Sequence, residues 1–170
     1  MDAVQRARGV RLAIFDVDGV MTDGTLFIGP QGEIAKPFNI LDGHGLKMLQ
    51  QAGIACAIIS GRSSPAVAYR ARELSIEHVV QGSPDKVADF ERLRTQLSMD
   101  AQACSFMGDD LPDLALMQRC GFAVAVANAV EAVKRAAHLV TTASGGRGAV
   151  REFCDFVLRA RGQLADGPAV

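Results

Sequence analysis

Several things are scarce in this chain, and each scarcity removes a class of function. Net charge is one: 18 Lys and Arg against 19 Asp and Glu leave −1 at pH 7. A general nucleic-acid binder is usually basic, so no nucleic-acid partner is expected. Long apolar runs are another. None approaches the roughly 20 residues of a membrane span, so no membrane partner is expected either. Thiols at metal-ligand spacing are also missing. Cys56, Cys104, Cys120 and Cys154 contain no C-x-x-C pair, and His44, His78 and His138 have no partner nearby in sequence. Zinc ligation is therefore not expected. The cysteines read instead as small core residues of a protein kept in a reducing cytosol. Only His44, bracketed by Gly43 and Gly45, is a candidate for touching a ligand. The N-terminus carries Arg6 and Arg8 without a following apolar stretch and cleavage site, so no secretory signal is read and a cytoplasmic location is expected.

What is present suffices for one domain with a sizeable core. The chain has 170 residues, 49% of them hydrophobic, which excludes a wholly disordered polymer. Apolar runs at 11–15, 54–59, 103–107 and 122–126 read as strands, with weaker ones at 78–80 and 138–140. Helical patterns lie between them at 44–52, 65–74, 84–98, 112–119, 129–136 and 148–160. Pro65, Pro84 and Pro112 stand near helix starts, where proline is tolerated. This alternation predicts an α/β fold: a three-layer, Rossmann-like parallel sheet with helices on both faces, over residues 1–161. One stretch departs from it. Residues 25–28, a turn at 29–32 and residues 33–38 predict a projecting β-hairpin, placed to wall a site or to pair with another subunit. Residues 162–170 lack periodicity and are expected to be a frayed tail.

The chemistry collects at strand ends. The run at 11–15 leads into Asp16-Val17-Asp18-Gly19, two carboxylates one residue apart. Ligands of open α/β sheets bind beyond the carboxyl ends of the strands. Paired carboxylates repel unless something positive lies between them, and a divalent metal is the simplest candidate. The strand at 103–107 ends in Gly108-Asp109-Asp110-Leu111-Pro112-Asp113. One acid there would suit a helix start; three suit a hard cation with oxygen ligands better. Ser60, after the strand at 54–59, is placed to bind phosphoryl oxygens, although serine and glycine also make ordinary turns. Lys86 opens a helix, where a cation gains nothing from the helix dipole and so implies an anionic neighbour.

Taken in order, Asp-x-Asp, Ser, Lys and Gly-Asp-Asp-x-x-Asp resemble the motifs of the haloacid dehalogenase superfamily of phosphatases. Asn39-Ile40-Leu41-Asp42-Gly43-His44-Gly45 and Gly145-Gly146-Arg147-Gly148-Ala149-Val150-Arg151-Glu152 narrow the resemblance to its capless branch, the 3-deoxy-D-manno-octulosonate 8-phosphate phosphatase family. The spacing agrees independently. Between Asp18 and Ser60 there is room for the hairpin and one helix, but not for a cap domain.

The resemblance implies a magnesium-dependent, tetrameric enzyme that hydrolyses a sugar-acid phosphate in lipopolysaccharide precursor synthesis. Asp16 would be the nucleophile and Asp18 the acid and base, with Ser60 and Lys86 stabilising the phosphoryl group. Mg2+ would take carboxylate oxygens from Asp16 and Asp109 and the backbone carbonyl of Asp18. Asp110 and Asp113 would hold its waters or orient Lys86. Substrate contacts would come from Asn39, Ile40, Leu41, Asp42, Gly43, Lys47, Arg62, Arg70 and Lys86. Arg147 joins them on a further argument: three glycines in four residues at 145–148 give no packing, so the arginine among them reads as an anion contact. A phosphatase for nine-carbon sugar-acid phosphates shares these features. A phospho-accepting receiver domain of a signalling pair shares some of them, but in a different order along the chain.

Overall fold

The computed structural model describes residues 1–164. Six parallel strands form one sheet in the order β5-β4-β1-β6-β7-β8. They are β1 (Leu12–Phe15), β4 (Ala55–Ile59), β5 (His78–Val80), β6 (Cys104–Gly108), β7 (Phe122–Ala125) and β8 (Leu139–Val140). The expected α/β architecture is thus observed. β1 is central and wholly buried, because a parallel strand covered by helices on both faces needs a continuous apolar run. The chain passes from β1 to β4 on one side, then returns to place β6 on the other. That reversal of direction opens a crevice at the carboxyl end of β1.

Helices α1 (Ala3–Gly9), α2 (Ile40–Gln51), α3 (Pro65–Glu73), α4 (Lys86–Gln96), α5 (Leu114–Met117), α6 (Glu131–Ala136) and α7 (Ala149–Ala160) cover the sheet. α7 shows why. Val150, Phe153, Cys154, Val157 and Leu158 are buried along one stripe at helical spacing. Phe153 meets Phe15 edge-on at 5.7 Å, which ties α7 to the central strand. All four cysteines are free and buried in this core, as expected.

The differences from expectation are local. α1 is absent from the sequence reading; a reciprocal cap between Asp2 and Gln5 starts it. α2 begins at Ile40 rather than 44, because the Asn39 side chain accepts the amides of Leu41 and Asp42. Its two glycines survive inside the helix because neighbours press on them. A Cβ on Gly43 would lie 2.2 Å from Arg70 Nη2, and one on Gly45 would lie 3.0 Å from Arg151 Cδ. The helix expected at 84–98 begins at Lys86, after Asp85 caps it. The one expected at 112–119 splits into a 3-10 turn at Leu111–Asp113 and the short α5. Gly162, expected to begin the tail, instead stops α7 in a left-handed conformation, and Gln163 N–H returns to Leu158 O. The rest of the expected tail, 165–170, lies outside the described residues.

The hairpin is present as β2 (Phe27–Gly29) and β3 (Gly32–Ala35), a separate two-stranded sheet. With α2 it makes up all the secondary structure between β1 and β4.

Candidate active site

The chemical groups at the crevice arrive at strand ends, in the turns after them or, for Lys86, at a helix start. Asp16 follows β1, and its N–H still pairs with Met107 O at 3.0 Å. The chain then turns tightly at Gly19, in a left-handed conformation that suits glycine. A side chain there would also collide with Asp109, since its Cβ would lie 2.0 Å from Asp109 Oδ2. Ser60 follows β4, Lys86 opens α4 and Asp109 follows β6. Together with Asp18, Gly61, Arg62, Asp110, Pro112 and Asp113 they line one cleft of about 190 Å³.

Asp113 organises one half of this cleft. Its Oδ1 accepts Lys86 Nζ at 2.7 Å, and its Oδ2 accepts the amides of Asp109 at 2.9 Å and Asp110 at 3.3 Å. Both oxygens are committed within the protein. One oxygen of Asp110 is engaged too: its Oδ1 accepts Leu111 N–H and caps the turn. Asp16 differs. Its Oδ1 lies 3.0 Å from Lys86 Nζ but is buried without an aligned hydrogen bond among the described residues.

Carboxylate oxygens of Asp16, Asp109 and Asp113 lie within 4.8 Å of one another. Three carboxylates face one ammonium here, so negative charge is in excess. The acids carry the mark of burial first and of this crowding second. Burial raises the Asp16 carboxyl above its usual range, partly offset by Lys86. Burial, with the charges of Asp16, Asp113 and Asp110, raises the Asp109 carboxyl to about 7. For Lys86, burial works against the charge, but the carboxylates of Asp16 and Asp113 outweigh it and raise its pKa. All-oxygen donors, an under-bonded buried oxygen and uncompensated negative charge fit a hard divalent cation. Asp16 and Asp109 have carboxylates to offer it.

The other half of the cleft belongs to Asp18, and it contains a group that sequence reasoning missed. Lys36, just beyond β3, is buried and pairs with Asp18 Oδ1. Its Nζ also lies 3.1 Å from Glu33 Oε2. Arg62 approaches the same acids from the other side, with Nε 3.6 Å from Asp18 Oδ2 and Nη2 3.7 Å from Glu33 Oε2. Ser64 donates its hydroxyl to Glu33. That hydroxyl first, then Lys36 and Arg62, hold the Glu33 carboxyl below its usual range. Nothing local marks Lys36, because a lysine beside a hairpin is ordinarily solvated.

Of the expected substrate contacts, Arg62 and Lys86 line the cleft. The others lie elsewhere in the single chain. Asn39 caps α2. Asp42 is buried and accepts Arg151 N–H at 2.8 Å, so it caps the start of α7; burial raises its carboxyl against that bond. Ile40, Gly43, His44, Lys47 and Arg70 border a separate hollow of about 250 Å³. Arg147 is exposed and pairs with Asp23 at 3.0 Å.

The glycines beside Arg147 correct the expectation that they give no packing. A Cβ on Gly145 would lie 1.8 Å from Gly19 O, and one on Gly146 would lie 2.5 Å from Asp23 N. Asn128 accepts Gly145 N–H at 2.7 Å and donates to Gly19 O at 3.3 Å, while Gly146 N–H reaches Val20 O. The segment is a backbone prop under the loop that carries Asp16 and Asp18.

The chain is similar in sequence and fold to known hydrolases. Residues 69–153 match the family of haloacid dehalogenase-like hydrolases. The 3-deoxy-D-manno-octulosonate 8-phosphate phosphatase of Yersinia pestis is 44% identical over 163 residues, 96% of this chain and 87% of that protein. A solved structure of the Moraxella catarrhalis phosphatase of the same name, in complex with magnesium ion, phosphate ion and KDO, is 41% identical with a TM-score of 0.92. The match covers 94% of this chain and 92% of that one. A probable phosphatase from Pseudomonas syringae superposes with a TM-score of 0.94 at 47% identity, covering 96% of this chain and 93% of that one.

Proposed function

The chain belongs to the haloacid dehalogenase-like hydrolases, and from that premise we propose that its reaction runs through an aspartyl-phosphate on Asp16. It is a phosphoric monoester hydrolase that uses magnesium and converts 3-deoxy-D-manno-octulosonate 8-phosphate to the free sugar acid and phosphate. The observation that carries the residue assignment is the cleft itself, which gathers Asp16, Asp18, Ser60, Lys86 and Asp109 at the carboxyl ends of adjacent parallel strands.

Asp16 attacks phosphorus as the leaving sugar oxygen departs and takes a proton from Asp18. Water then gives one of its own protons to Asp18 as it attacks the aspartyl-phosphate, freeing Asp16 and inorganic phosphate. Two acids are needed because the first is consumed in the covalent step. Proton assistance of this kind is typically worth about 10²–10⁴-fold. Lys86 and Ser60 face the transferring oxygens, where phosphoryl transfer depends on positioning and charge. Asp16, Asp109 and the Asp18 carbonyl would hold Mg2+, which supplies charge neutralisation at the phosphoryl group when bound. Asp113 orients Lys86, and Asp110 shapes the turn that presents Asp109.

A sugar-acid subsite built from Asn39, Ile40, Leu41, Gly43, Lys47, Arg70 and Arg147 is consistent with completion by a neighbouring copy. Exposed Leu26, Phe27, Ile28 and Ile34 on and before the hairpin support a homotetramer held partly through it. Light scattering that showed a fully active monomer would remove this part of the reading. The buried free thiols agree with a cytoplasmic location.

The test is phosphate release across eight- and nine-carbon sugar-acid phosphates, with magnesium and with EDTA. Preference for the eight-carbon substrate and silence in EDTA are expected. Preference for the nine-carbon compound would shift the substrate, and a stable phosphoprotein without turnover would point to a receiver domain.

A further inference from the structure

Lys36 has no place in the motif set that led to this site, yet it is among the most deeply buried charged groups beside it. Its side chain is 2% exposed. Burying an ammonium costs several kcal/mol unless opposite charge meets it, so a buried lysine is retained only where its partners are well placed. Here the partners are Asp18 and Glu33.

The geometry divides the two oxygens of Asp18. Oδ1 is held by Lys36. Among the described residues Oδ2 meets only the half-exposed Arg62 Nε, at 3.6 Å, beyond ordinary hydrogen-bond length. Lys36 therefore pins one oxygen and leaves the other for proton traffic. Glu33 completes the arrangement. It holds Lys36 from behind at 3.1 Å and is itself fixed by Ser64, at the start of α3. A chain of contacts thus runs from the scaffold through Ser64 and Glu33 to Lys36 and Asp18.

We propose that Lys36 is a positioning residue for proton transfer by Asp18, which makes the hairpin part of the catalytic apparatus of its own chain rather than only a wall or a contact surface. As the P–O bond to the leaving group breaks, the proton passes from Asp18 Oδ2 to the leaving oxygen, and the phosphoryl group passes to Asp16. Negative charge then develops on Asp18 directly opposite the Lys36 ammonium. A fixed charge aimed at developing charge stabilises the transition state without reorganisation. The inference rests on the reading of Asp18 as proton carrier.

The experiment compares two aryl phosphates under saturating magnesium. Phenyl phosphate has a poor leaving group that needs a proton, whereas 2,4-dinitrophenyl phosphate has a good one that does not. kcat/KM is used because it reports the steps through departure of the leaving group. Lys36→Met is expected to lower kcat/KM for phenyl phosphate by roughly 10²-fold, within the range of acid–base assistance. The loss on dinitrophenyl phosphate should stay under about 5-fold, since that assistance is not needed there. Lys36→Arg should recover part of the phenyl phosphate activity. Asp18→Asn is measured alongside. If it shows the steep dependence on leaving group while Lys36→Met loses equally on both substrates, Lys36 is structural and the proposal is overturned. If Asp18→Asn shows no such dependence, the proton-carrier reading fails and the proposal falls with it. Should Lys36→Met not fold, Lys36→Gln takes its place, with the same two outcomes.

Discussion

Lys86 and Lys36 stand on opposite sides of the Asp16–Asp18 turn, and each bridges two carboxylates. Lys86 lies between Asp16 and Asp113, Lys36 between Asp18 and Glu33. The two settings differ in charge balance. Around Lys86 the third acid, Asp109, leaves negative charge in excess, and burial together with the neighbouring carboxylates raises the Asp109 carboxyl to about 7. Around Lys36 a second cation, Arg62, meets the same two acids, so the cluster is neutral. The first is built to take up a further cation and an anionic substrate. The second is self-contained and suited to holding one acid in place. Phosphoryl transfer needs both: a charged floor for the phosphate and a fixed proton carrier for the leaving group.

The most severe way to break this contrast is Asp16→Asn, because Asp16 pairs with Lys86 and, among the described residues, forms no ion pair with the Lys36 cluster. Loss of the nucleophile should cost at least about 10³-fold in kcat with the fold retained. Single-turnover assays with circular dichroism would check it; activity within a few-fold of the parent would remove Asp16, and the Lys86 side, from the centre of the chemistry.

Lys86→Met should come next. Removing a preorganised charge aimed at the phosphoryl oxygens is worth about 10²–10³ in kcat. The loss should be the same for good and poor leaving groups, unlike that of Lys36→Met. A leaving-group dependence for Lys86→Met would erase the distinction between the two lysines.

The smallest effect concerns stability, and its sign separates the clusters. A carboxyl whose folded pKa is raised binds protons more tightly in the native state than in the unfolded one. Its contribution to metal-free stability therefore falls as pH rises from about 4 through about 7. Asp109→Asn should accordingly raise the Tm of the EDTA-treated protein at pH 8 and abolish the further rise that magnesium gives the parent. Glu33→Gln, in the balanced cluster, should lower Tm with or without magnesium. Thermal melts of both variants test this, and a fall in Tm for metal-free Asp109→Asn would contradict the charge-excess argument.

Legibility followed locality. Asp16, Asp18, Ser60, Lys86 and Asp109 could be found because each sits at a strand end or helix start that apolar runs, glycines and prolines mark within a few residues. The early start of α2 was missed because Gly43 and Gly45 look like helix breakers until Arg70 and α7 are seen filling the space beside them. Gly145 and Gly146 were misread for the same reason: their use is close approach to a backbone more than 120 residues away. Asp42 looked like a ligand contact and instead caps α7 from another helix.

The sequence by itself determined the parallel α/β sheet and the convergence of its acids, because strand period, buried apolar runs and turn residues are local and parallel strands all end at one edge. Only the tertiary structure decided which charges are buried, which oxygens are already taken and which are left to act. Those outcomes depend on what packs against each side chain. For Lys36 that is Asp18, 18 positions back along the chain and brought to it by the fold.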